Sequence, residues 1–241
     1  MKTLNIKNIF FFLSIIMLVL SGCSNKGDEI VAYTCPAIVG FDSDVTNQPT
    51  LLTPYGTYIA PELQEVFLYY LNKGDALLVT YEINYDNQLS EDYTIVHNVD
   101  WVKVNNESLK ATVGGESVTG DFDAPILSVN PYVRLGGVLF VIFAHSSAQN
   151  QPYLYEMTYD YTDMSEIPTV YLRAKEAELN TSLIPIYPNA AAFDMSNFLM
   201  SNVDSENKVK INIKVKTGKD DDGKDVYSDF AYNPVEFDMS K

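Results

Sequence analysis

Histidine, cysteine and tryptophan are nearly missing from this chain, and positive charge is scarce. Its 241 residues hold two His, two Cys and one Trp, with 16 Lys and Arg against 32 Asp and Glu. The formal net charge of -16 repels nucleic acid and anionic polysaccharide at long range, which excludes a nucleic-acid partner. No zinc-type Cys/His spacing, phosphate-cradling glycine loop or nucleophile elbow is present. His97 and His145 both lie in apolar segments, where a hydrogen-bonded core histidine is the expected role. Ser146 and Ser147 follow His145, but adjacency in sequence is not nucleophile geometry. No catalytic residue, metal ligand or cofactor is expected, and the chain reads as a non-enzyme.

What is present first is an export signal. Lys2 and Lys7 precede a nearly uniform apolar run from Ile9 to Leu20, which is signal-peptide length and too short to span a bilayer. Leu20, Ser21, Gly22 and Cys23 then form a lipobox, with small residues before a thiol that can carry diacylglycerol. Residues 1–22 read as a lipoprotein signal peptide, Cys23 as the lipid-attachment residue, and 23–29 as a short tether. Several acyl chains on one residue exceed what stable anchoring needs. The expected location is the outer membrane, facing the periplasm or the cell surface. With Cys23 acylated, Cys35 has no disulfide partner, so stability must come from a packed core. Cys35 itself lies in the apolar stretch from Ile30 to Phe41 and reads as a small buried hydrophobe.

The mature chain is long enough for two domains, placed at 30–112 and 113–241. Asn105 to Pro125, with Gly114, Gly115 and Gly120, reads as a linker or long loop between them. In the first domain Leu77, Val79, Tyr81, Ile83 and Tyr85 share one face of a strand, and Tyr93 to Val104 repeats the alternation. Ile30 to Phe41 and short runs around Leu51 and Tyr58 add three strands, the last two joined by a Pro54, Tyr55, Gly56 turn. Pro61 opens a helix whose Leu63, Val66, Phe67, Tyr70 and Leu71 recur at helical spacing. Five strands with a helix between the third and fourth is the order of an OB-like barrel.

The second domain reads as strands throughout, without a helix: Gly137 to Ala144, Tyr153 to Tyr161, Thr169 to Lys175, Lys208 to Lys216 and Val226 to Tyr232. Short strands with polar turns point to a β-sandwich. The fold class is therefore all-β, an OB-like barrel with one short helix followed by a sandwich.

The lipobox, Leu51 to Gly56, the Lys73, Gly74, Asp75 turn leading into Val79 to Asn87, the Gly136 to Ala144 strand and the closing lysine strand together resemble the NigD-like lipoproteins of Bacteroidota. The resemblance implies an N-terminal OB-like domain and a C-terminal β-sandwich, in a family whose biochemical role is not established. It brings no catalytic residues.

Three features remain as candidate binding elements. Asp220 to Asp225 could collect oxygen ligands for calcium, but the spacing lacks the alternation of an EF-hand loop and suits a charged hairpin tip. Lys208, Lys210, Lys214 and Lys216 share one strand face, which could meet headgroups or an acidic partner, but an edge strand guarded by lysines is the expected role. Tyr81, Tyr85 and Trp101 could line an aromatic groove for a glycan or small ligand. The primary reading is a non-catalytic accessory or assembly component that meets the membrane through its lipid and another envelope protein through its surface. Glycan or small-ligand binding is the alternative.

Overall fold

The structure is a computed structural model that describes residues 30–42, 48–85, 94–145, 151–177 and 186–239. The signal peptide, Cys23 and the tether lie outside the described residues, as do Ser146 and Ser147. Among the described residues, no helix is long and apolar enough to cross a membrane.

Alternation in the first part of the chain becomes five strands: β1 (Ile30–Asp42), β2 (Gln48–Thr53), β3 (Gly56–Ile59), β4 (Ala76–Asn84) and β5 (Val96–Ser108). Their order is β3-β2-β1-β4-β5, with every pair antiparallel. Between β3 and β4 a single 3-10 turn at Pro61–Leu63 runs into helix α1 (Gln64–Tyr69). The odd-numbered side chains of β4, Leu77, Val79, Tyr81 and Ile83, turn inward and meet Leu51, Ala37, Leu63 and Leu71 in one core. This is the OB-like order, but the sheet does not close into a barrel. β3 has only four residues, and just its last one, Ile59, reaches β5's approach, in an isolated parallel bridge to Ile95. Its N–H donates to the Thr94 carbonyl at 2.9 Å.

β5 is instead satisfied along its other edge. β11 (Ile186–Asp194) pairs with it in parallel, then β8 (Val138–Ala144) and β7 (Ser128–Leu135) extend the same sheet to eight strands. The sheet therefore takes strands from both sides of residue 112, where the two domains were expected to meet. Within the segment expected to be a linker, Asn105–Ser108 continues β5 and Lys110–Thr112 forms β6. After a 3-10 turn at Val113–Gly115 the chain becomes a loop.

The second sheet has the order β13-β12-β10-β9-β6, from β13 (Asp225–Asp229), β12 (Lys208–Lys219), β10 (Thr169–Glu176), β9 (Tyr153–Asp160) and β6, with β14 (Val235–Asp238) also on β12. Tyr155, Met157, Val170, Leu172, Ile211 and Ile213 from this sheet pack on Leu139, Val141 and Phe193 from the first, making a sandwich core. Each such side chain, fully buried, stabilises by about 1.5–3 kcal/mol before entropy is counted. On its opposite face the eight-stranded sheet carries a smaller cluster, where Ala76 and Val104 meet Leu135, Phe140 and Ala192.

Two expectations for the second half are corrected. A helix is present there, α2 (Ser196–Ser201), whose six residues are too few to show a helical period. The Asp194 carboxylate accepts from the Ser196 N–H at 2.9 Å and turns the chain into it. The lysine strand β12 is also not an edge, since β10 holds one side and β13 and β14 share the other.

Candidate functional site

The three aromatics expected to form a groove separate in the structure. Tyr81 is 0 % exposed, stacked on Tyr33 with ring centroids 5.5 Å apart, so it supports the first core and offers no surface to a ligand. A residue on the apolar face of a central strand is covered when the strands around it curl. The Cys35 thiol donates to the Tyr81 hydroxyl at 3.9 Å, and burial pushes that thiol up to about 11. Tyr85 is half exposed at the end of β4, its hydroxyl 3.2 Å from that of Tyr33. Of the three, Trp101 lines an apolar cleft.

That cleft is about 460 Å³ and lies where β1, β4 and β5 face β7 and β8. Leu78, Val102, Val133, Phe140 and Ile142 make it apolar, and Trp101 and Tyr55 add aromatic surface. Polar groups are few: the Thr34 and Thr80 hydroxyls, 3.0 Å apart, and the Asp100 carboxylate, which accepts from the Trp101 N–H at 2.9 Å. A mainly apolar concavity of this size with a few fixed polar groups has the character of a binding site.

A second, polar concavity of about 380 Å³ lies on the outer face of the second sheet, beneath the loop that runs from Val113 to Pro125. Alternation places Arg173 of β10 and Lys216 of β12 on this outer face, yet they are only 3 % and 2 % exposed because the loop covers them. Arg173 donates from Nε to the Tyr227 hydroxyl at 2.7 Å, from Nη1 to Thr158 Oγ1 at 2.7 Å and from Nη2 to the Gly115 carbonyl at 2.6 Å. The rings of Tyr171 and Tyr227 stand 5.5 and 5.4 Å from its guanidinium carbon. Lys216 bonds to Asp123 at 2.8 Å and Asp225 at 2.6 Å, and Lys219 to Asp123 at 2.9 Å. These ammonium groups hold the Asp123 carboxyl below its ordinary range. Burial pushes the Tyr227 phenol up to about 12. Glu156, the register partner of Arg173 on β9, is 1 % exposed. One of its oxygens accepts from the Val118 N–H at 3.2 Å, and the other has no partner among the described residues.

Among the described residues, three of the four lysines on this face of β12 are paired with carboxylates. Lys208 and Lys210 reach Glu236 at 3.7 and 3.6 Å, while Lys216 closes the network just described. In the acidic hairpin, the Asp220 carboxylate accepts from the Asp222 and Lys224 N–H groups at 3.0 and 2.8 Å, capping the turn.

The histidines differ from each other. His145 is half-buried, with Nδ1 3.0 Å from the Pro125 carbonyl and Nε2 3.1 Å from the Tyr155 hydroxyl, and it stacks on Tyr153 at 3.7 Å. His97 is exposed and 3.9 Å from Glu62, contrary to the core position expected for it. The register shift between β4 and β5, beside Asn98 with its positive φ of 50°, turns it out of the alternation.

Sequence reasoning missed the Arg173 cluster because its members are spread over five segments. The available signal was a charged residue inside each of three strands, Glu156 in β9, Arg173 in β10 and Lys216 in β12.

No protein-family model matches the chain, and no curated protein matches it. Solved structures do. An uncharacterised protein from Parabacteroides merdae matches at TM-score 0.65 and 13 % identity, over 87 % of this chain and 100 % of that one. A protein from Parabacteroides distasonis named as toxin-related matches at TM-score 0.54 and 15 % identity, over 87 % and 94 %. A NigD-like immunity protein from Bacteroides caccae is also among them, at TM-score 0.48 and 13 % identity, over 88 % and 99 %. At these identities the likeness is one of fold.

Proposed function

We propose that this chain is a non-catalytic binding component of the cell envelope, attached to the outer membrane through Cys23 and facing the periplasm or the cell surface. It receives apolar side chains of an envelope protein in the cleft beside Trp101. The cleft carries this reading: its walls are apolar from Leu78 to Ile142, and its few polar groups bond to one another or to backbone. In the polar concavity, Lys216 is held by Asp123 and Asp225. The test is affinity purification of the full-length lipoprotein from gently solubilised envelopes, beside a Val102→Asp variant that places a charge in the cleft. A near-stoichiometric protein lost from the variant supports the reading. Recovery of the lipoprotein alone overturns it in favour of the second reading, a small ligand or glycan held against Trp101, the one expected groove aromatic that lines the cleft.

A further inference from the structure

We propose that the polar concavity around Arg173 is a binding site for a neutral saccharide, separate from the apolar cleft. Its wall carries three cations, Arg173, Lys216 and Lys219, and three carboxylates, Glu116, Asp123 and Asp225. Their charges balance, so the wall favours neither an anion nor a cation. What it offers is donors and acceptors side by side, and a hydroxyl group, which both donates and accepts, is the group that matches such a wall at many points. The ligand must also have apolar surface, because Tyr171, Tyr227 and Phe122 line the same space. A sugar ring combines hydroxyls at its edge with C–H groups on its face, and aromatic side chains present apolar bodies beside polar tips.

The site is built rather than fortuitous. Guanidinium has five N–H donors, and Arg173 uses three, all on neutral acceptors, while the Lys216 and Lys219 ammonium groups already hold carboxylates. Two donors of a buried cation therefore remain for a ligand. The rim is exposed at Glu116 and Lys219, so entry needs no movement of the cores.

The test is titration calorimetry on the full-length lipoprotein in a detergent without a sugar headgroup. Probes are a panel of neutral gluco-, galacto- and manno-configured oligosaccharides, a uronic-acid oligosaccharide and inorganic phosphate. Saturable binding of a neutral probe is expected, weakened about tenfold or more by Tyr171→Ala and by Lys219→Met. Lys219 is exposed, so its variant keeps the fold even if the Tyr171 variant does not. Preference for phosphate or the uronic-acid probe would show an anion site and overturn the proposal, as would no binding at all. Neutral-probe binding untouched by Lys219→Met and Tyr171→Ala but lost in Val102→Asp would place the saccharide in the cleft instead. Because Val102 and Lys219 lie in different concavities, failure here and failure of the envelope-protein reading are distinguishable.

Discussion

The Tyr155 hydroxyl donates to Nε2 of His145 at 3.1 Å, and the direction of that bond follows from the other ring nitrogen. Nδ1 faces the Pro125 carbonyl, which can only accept, so Nδ1 carries the proton and neutral Nε2 is the acceptor. Together the two bonds tie the end of the Val113–Pro125 loop to β9.

Burial holds the His145 pKa below its ordinary value. The folded state therefore resists a proton that the unfolded chain takes up at about 6.5. This contribution is complete above that pH and is lost as pH falls below it toward the lower folded pKa. Thermal melts from pH 8 to 5 should show wild type losing stability in that window, and His145→Gln showing a flatter profile. Parallel profiles would refute the assignment.

Cys35 should be inert in the folded protein. The residue is 5 % exposed and burial pushes its thiol up to about 11, so almost no thiolate exists at pH 8. Iodoacetamide treatment followed by mass spectrometry is expected to leave Cys35 unmodified until denaturant unfolds the chain. Rapid labelling under native conditions would contradict the packing described for the first core.

Removing the Arg173 guanidinium should be costly. Arg173→Leu leaves Glu156 buried without its neighbouring positive charge, takes the guanidinium donor from Thr158 and Tyr227, and leaves the Gly115 carbonyl with the Thr158 hydroxyl alone. A loss of about 3 kcal/mol is expected in urea denaturation. The double variant Arg173→Leu, Glu156→Leu should recover part of it, because no lone buried charge remains. A double variant no better than the single one would mean that the hydrogen bonds to the loop, and not the charge balance, dominate.

Gly115 meets two demands at once. Its φ is +68°, and a Cβ there would be driven into the Tyr171 ring. Gly115→Ala is predicted to cost about 2 kcal/mol and to make the Val113–Pro125 loop sensitive to limited proteolysis. Gly120→Ala, where a Cβ meets nothing within 4 Å, should cost less, only the strain of a positive φ.

Strands whose side chains divide cleanly between core and solvent were legible. Leu77 to Ile83 alternates because one face of β4 is buried and Thr80 on the other is exposed, and α1 was signalled by Pro61 and helical spacing. Other elements lack such contrast. In β11, Ala190, Ala191 and Ala192 are all buried, so no alternation exists, and Pro188 reads as a break. β14 has only four residues. Of the expected site, Trp101 could be found because an aromatic beside polar residues stands out, whereas Tyr81 was misread because period two identifies a shared face without telling whether it is covered. The Arg173 site depends on which strands become neighbours, and β10 lies beside β12 in parallel although residues 177–207 separate them in the chain. Pairings of that kind are not written in local pattern.

The parallel union of β5 and β11 has a consequence in time. Val96–Ser108 emerges from synthesis or export well before Ile186–Asp194, and until the later strand arrives the long strand of the first core keeps one edge unsatisfied. Distant pairings of this kind slow folding and prolong exposure of an adhesive edge. A chain ending after residue 112 would carry that edge permanently, so the first five strands are completed by a segment made nearly last.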